Sequence, residues 1–161
     1  MRKLLLTLAA LVVIPASAHA ADSFSNYGVH FGFGDSPDQV FFGGQFTIGE
    51  VGPNIDLVPM IDIGFGDNAT IISLSGDFRY RIDVSGQTWQ PYAGGGIGVH
   101  FVSFDSRGPL RDDSDTFGGG HFIVGVDAPT RSGNRFFTDL KIGIGDSPDL
   151  KLEAGWSFGL R

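Results

Sequence analysis

The chain has no cysteine, which excludes disulfides and thiolate metal sites. Beyond its first 20 residues it has no apolar run long enough to cross a bilayer as a helix, so any membrane passage must be made by strands. Basic residues are scarce: 11 Lys and Arg stand against 18 Asp and Glu among 161 residues, a formal charge of −7. That acid excess argues against a nucleic-acid partner. Amphipathic helical periodicity is missing as well.

What is present begins with an export signal. Arg2 and Lys3 precede the apolar run Leu4 to Ile14, and Ala18-His19-Ala20 supplies small residues at cleavage spacing. This pattern predicts a signal peptide over 1–20 and one domain over 21–161. Removing the signal leaves nine bases against eighteen acids, a formal charge of −9.

The mature chain is rich in glycine and alternates. Eight segments, near 27–34, 39–48, 54–65, 70–82, 89–104, 117–127, 135–145 and 150–160, carry apolar and polar residues in turn. Clusters of Gly, Asp, Asn, Ser and Pro separate them, which predicts antiparallel strands joined by turns. The final strand is the clearest: Leu150, Leu152, Ala154, Trp156, Phe158 and Leu160 share a face, and Lys151, Glu153, Gly155, Ser157 and Gly159 share the other.

Charge follows this segregation throughout. Asp56, Asp62, Asp77, Arg79, Arg81, Asp127, Arg135, Asp139, Lys141, Lys151 and Glu153 all fall opposite the apolar face. Six acids and five bases nearly cancel, as expected of charges sharing a confined space. One Lys or Arg facing lipid at the bilayer centre costs about 2–4 kcal/mol, so an apolar face free of charge fits a lipid-facing wall. The aromatic residues Tyr27, Phe46, Tyr80, Trp89, Phe136 and Phe158 fall near one end of that face, as an interfacial girdle would. The other face mixes Gly94, Gly96 and Gly98 with Tyr92, which suits the narrow interior of a small barrel. A soluble periplasmic barrel or sandwich stays open at this point, because alternation does not say which face is outside. Pro59 falls inside a strand of a barrel that has no edge, so a bulge is expected there.

With these features the chain resembles the small eight-stranded outer-membrane β-barrels of Gram-negative bacteria, the OmpA/OmpX-like group. The resemblance rests on the signal, the strand count, Pro91–Phe101, Phe136–Gly143 and the C-terminus. It implies an all-β, eight-stranded antiparallel up-and-down transmembrane barrel in the cell outer membrane, monomeric and not an enzyme. Its implied partners are outer-membrane lipid, lipopolysaccharide and the barrel-assembly machinery. Glu153, Gly155, Phe158 and Leu160 match the terminal pattern that this machinery reads, although Arg161 stands where such barrels usually end on an aromatic.

Within such a barrel Asp62, Asp77, Arg79, Arg81, Asp139, Lys141, Lys151 and Glu153 are the candidate interior charges. Asp77, Arg79 and Arg81 are expected to pair with Asp139, Lys141, Lys151 and Glu153. An eight-stranded interior is just wide enough for side chains to fill, so these residues predict a plugged barrel with a structural or surface-interaction role. A narrow pore for small solutes is the alternative. His30, His100 and His121 point inward by parity. His100 and His121 would stand opposite each other if the 105–116 loop closed symmetrically, but no third metal ligand is in reach, and no cofactor is expected. The motif GDSPD occurs at Gly34–Asp38 and again at Gly145–Asp149. Closure would set the two turns side by side and make Asp35, Asp38, Asp146 and Asp149 candidate ligands for a divalent cation.

Overall fold

Strict alternation gives each segment one face that shuns water and one that carries charge, and a single sheet satisfies both by closing on itself. The computed structural model describes residues 25–35, 38–66, 69–104 and 114–159. The expected signal peptide over 1–20, most of the 105–116 loop, Leu160 and Arg161 lie outside the described residues.

The strands are β1 (Asn26–Asp35), β2 (Gln39–Thr47), β3 (Glu50–Gly52), β4 (Ile55–Gly66), β5 (Ala69–Arg81), β6 (Gln90–Phe104), β7 (Ser114–Pro129), β8 (Arg135–Gly145) and β9 (Leu150–Gly159). They follow the order β2-β1-β9-β8-β7-β6-β5-β4-β3, and a further antiparallel pairing of β2 with β4 closes the ring. Short β3 lies within the β2–β4 connection, so eight strands form the wall. All eight expected segments are strands of this barrel. A two-sheet sandwich is therefore excluded, because one sheet closes on itself with its apolar face outward.

The outer wall is apolar from strand to strand. Phe33, Ile97 and Phe122 are each more than 60% exposed, and Phe31, Phe42, Phe65, Phe78, Leu152 and Trp156 join them. At the end where β1 begins, aromatic residues gather on the outer wall. Tyr27 pairs across strands with Phe46 and Phe158 and stacks on Phe158 at 5.3 Å. Phe136 meets Trp156 edge-on at 5.4 Å. Tyr80 and Trp89 are exposed at the same end.

Pro59 does not mark a bulge. Val58↔Asp77, Pro59↔Gly76 and Met60↔Ser75 are in regular register with β5. The N–H that proline lacks would have faced β2, since Leu57, two residues earlier, donates to the Gly49 carbonyl. On that side the recorded β2–β4 register runs only from Val40↔Phe65 to Gln45↔Met60, just short of Pro59. The irregularity lies instead between Glu50 and Gly52, where the chain turns. Gly49 and Asn54 adopt left-handed backbone there, with φ of 64° and 59°. The Asn54 amide donates to Glu50 Oε1 at 2.6 Å, which holds that turn in shape.

Candidate functional site

The barrel interior is where the chain concentrates its chemistry. It is wide enough for these side chains because inward glycines of neighbouring strands make room for them. A Cβ on Gly96 would meet Asp77 Oδ1 at 2.5 Å and His121 Nε2 at 2.7 Å. One on Gly43 would meet Asp62 Oδ1 at 2.3 Å, and one on Gly125 would meet Asp139 Oδ1 at the same distance. These glycines are seats for the charges beside them.

Asp62, Asp77, Arg79, Asp139, Lys141, Lys151 and Glu153 are all buried inside the barrel. Lys141 Nζ lies 3.0 Å from Asp77 Oδ2 and 3.1 Å from Glu153 Oε1. Arg79 Nη2 reaches Asp139 at 3.2 Å, Asp77 at 3.3 Å and Glu153 at 4.0 Å. Lys151 Nζ pairs with Asp62 Oδ2 at 2.9 Å and lies 4.1 Å from the centre of the Phe41 ring. The Tyr92 hydroxyl donates to Asp139, and the Arg79 guanidinium lies 5.2 Å from the Tyr92 ring centre. Charges removed from water are tolerable only when paired and hydrogen-bonded in this way.

Two expectations need correction. Arg81 is not in the interior cluster: it pairs with Glu50 and Asp56 at the barrel rim, each at 3.2 Å, and its side chain is about one-third exposed. It lies two positions beyond Arg79, enough along a strand to carry it from the lumen to the mouth. His100 and His121 are not opposite each other. The β6–β7 register pairs Gly96 with His121 and His100 with Phe117, so the connection is offset from the symmetric closure expected.

The histidines have distinct partners that sequence parity missed. His30 Nε2 lies 2.6 Å from Asp62 Oδ1, and His121 Nε2 lies 2.7 Å from Asp77 Oδ1. His100 Nδ1 lies 2.8 Å from Ser73 Oγ. The signal available was an inward His near an inward Asp, but strand register had to be known to pair them. Among the described residues, no three His, Asp or Glu side chains converge as a metal site would require. The β1–β9 register pairs Asp35 with Leu150, which sets the start of the first GDSPD turn beside the end of the second. Asp38, Asp146 and Asp149 are exposed around the same barrel mouth.

Among the described residues, side chains line cavities at both ends of the lumen. One, of about 50 Å³, opens toward the girdle end and is lined by residues including Gln45, Asp56, Arg79, Arg81, Tyr92 and Asp127. The other, of about 10 Å³, lies toward the opposite mouth among Ser73, His100, His121, Lys141, Ser147 and Lys151. Arg79 borders the first and Lys141 the second, with Asp77 bonded to both.

Fold and interior together define a small closed eight-stranded barrel with an apolar outer wall and a charged, side-chain-filled lumen. Among solved structures it is similar to Neisserial surface protein A (NspA), with a TM-score of 0.65 and 12% identity over 85% of this chain and 96% of that one. It is likewise similar to the N-terminal β-barrel domain of Pseudomonas aeruginosa OprF, with a TM-score of 0.64 and 13% identity over 85% and 99% of the two chains. At these identities the likeness is one of fold. No protein-family model matches the chain, and no curated protein sequence matches it.

Proposed function

We propose that this chain is an outer-membrane protein with a structural or surface-interaction role, its barrel plugged by paired charges. The observation that carries the reading is the inversion of a soluble protein: Phe33, Ile97 and Phe122 face outward while Asp77, Asp139 and Glu153 are buried. An exposed apolar surface that surrounds a whole barrel is stable only against lipid. The export signal over 1–20 supports the compartment. The partners of this reading are membrane lipid, lipopolysaccharide at the acidic outer turns, and an assembly machinery reading Glu153, Gly155, Phe158 and Leu160. Closure leaves no free sheet edge for a second copy, which favours a monomer.

Conductance in planar bilayers tests the plug. The refolded chain is expected to give no steady openings. A stable ohmic conductance would overturn the plug in favour of a narrow pore for small solutes. Membrane fractionation tests the location separately: recovery in buffer without detergent would overturn the outer-membrane assignment.

A further inference from the structure

At the centre of the lumen the permanent charges do not balance. Asp77, Asp139 and Glu153 face Arg79 and Lys141, three acids against two bases, through contacts of 4.0 Å or less. Lys151 is committed to Asp62 at 2.9 Å. It acts on Glu153 only through space, as does His30. His30 of β1 and His121 of β7 turn their Nε2 atoms to Asp62 and Asp77, and neither histidine is hydrogen-bonded to Asp139 or Glu153. His30 Nδ1 is buried without a partner, so a second ring proton on it would find no acceptor. From β6 comes the Tyr92 hydroxyl, and from β2 the neutral Gln45, which accepts from Arg79.

Asp139 and Glu153 meet directly. They are cross-strand partners in β8 and β9, both are 1% exposed, and their side chains are hydrogen-bonded to each other. An ionised carboxylate can only accept. No N–H or hydroxyl group among the described residues is hydrogen-bonded to Asp139 Oδ2 or to either carboxyl oxygen of Glu153. The bond between the two acids therefore contains a proton that one of them carries. Two carboxyl groups at one buried site do not both ionise, and a single shared proton turns their repulsion into a bond. Counting that proton also balances the cluster. The pair then carries one negative charge and Asp77 another, against Arg79 and Lys141, as a set of charges removed from water requires.

We propose that Asp139 and Glu153 hold one proton between them as a fixed part of the folded barrel, an acid clasp that joins β8 to β9 and that alkali releases. Tyr92, which donates to Asp139, lines the cavity open at the girdle end and gives the pair its route to water. Release passes the proton to water and leaves two carboxylates facing each other in the lumen. The folded chain binds one proton more than the unfolded chain, in which both acids are ionised near neutral pH, so stability falls as pH rises. The clasp deepens the reading of the lumen as a charge plug. Steady conductance would overturn that reading without touching the proton.

The test uses the full mature chain. Refolded in micelles of a detergent without ester groups, at about pH 7.5, it is expected to show the infrared carbonyl stretch of a neutral carboxylic acid, which ionised carboxylates lack. Asp139→Asn keeps the shape of the side chain and lets an amide donate to Glu153, and it is expected to lose that band. In lipid vesicles, the ratio of folded to unfolded chain is read from urea unfolding. For the unaltered protein it should fall by up to about tenfold per pH unit as pH rises toward about 9, below the range where lysine and tyrosine titrate. Asp139→Asn should remove most of that fall. Absence of the acid band from the unaltered protein would overturn the proposal. So would a band that Asp139→Asn retains in full, or an equal pH dependence in the two proteins. Should Asp139→Asn fail to fold, Glu153→Gln takes its place. Should both fail, the unaltered protein decides: its acid band must fade in step with the urea midpoint as pH rises, and a band that persists while the midpoint falls sinks the clasp.

Discussion

Replacing Arg79 with methionine removes the cation that holds most of the interior together. Arg79 contacts Asp77, Asp139 and Glu153, but these partners depend on it unequally. Asp77 keeps Lys141 at 3.0 Å and His121 at 2.7 Å, and Glu153 keeps Lys141 at 3.1 Å. Asp139 has no other ion pair within 4 Å among the described residues and would retain the Tyr92 hydroxyl and its hydrogen bond with Glu153. One buried carboxylate is thus left uncompensated, not three. The expected loss is therefore at the low end of the range for breaking a buried pair, about 3 kcal/mol. Methionine preserves much of the packing against Tyr92 and Phe137, so most of the loss is electrostatic. The double variant Arg79→Met/Asp139→Asn removes the orphaned charge and should recover about 2 kcal/mol. At the rim, Arg81→Met breaks two pairs whose arginine is about one-third exposed, and should cost less than about 1 kcal/mol. Urea unfolding in lipid vesicles, followed by the fluorescence of Trp89 and Trp156, measures all three. Equal losses for Arg79→Met and Arg81→Met, or no recovery in the double variant, would refute the cross-lumen account.

Gly125→Ala should destabilise the barrel by about 1–3 kcal/mol in the same assay, because the added Cβ presses on Asp139 and Tyr92. Gly76→Ala is its control: nothing lies within 4 Å of that Cβ, and a change within about 0.5 kcal/mol is expected. Phe122→Arg puts a charge on the outer wall midway along β7, at a side chain 62% exposed. In vesicles it should cost about 2–4 kcal/mol, whereas a loss below 0.5 kcal/mol, the usual value for a water-facing site, would deny that lipid covers this wall.

Period two made the wall legible in the sequence, because every strand repeats the same separation of apolar from charged residues. It did not make the partners legible. Parity puts Asp62 and His30 inside, but it does not give the β2–β4 register that sets Gly43 of β2 beside Asp62 of β4. Nor does parity measure height: Arg79 and Arg81 look equivalent in sequence, yet one is sunk in the lumen and the other opens to the mouth. Glu50 fell outside the expected strands, so the partner that holds Arg81 at the rim was out of view. Pro59 misled for a related reason. A missing N–H matters only on the side toward which it would have pointed, and that side is set by pairing.

The interior charges explain why this register is chosen over its neighbours. A slip of two residues between strands keeps every apolar side chain outside, so the apolar alternation does not discriminate against it. In the observed register Asp139 stands directly opposite Glu153, and Lys141 opposite Lys151. Like charges so placed are unfavourable when only the two strands are considered. A slip in one direction would set Asp139 opposite Lys151, and a slip in the other would set Lys141 opposite Glu153. Either looks better within β8 and β9 alone. The observed pairing prevails because its charges are answered from across the barrel: Asp62 of β4 takes Lys151, while Asp77 and Arg79 of β5 take Lys141 and Asp139. Glycine seats enforce the same alignment, since Gly155 accommodates the Phe137 ring and would clash with it if it bore a Cβ. Register in β8 and β9 is thus decided by closure with β4 and β5, and the charges that fill the lumen are what make the closed ring specific.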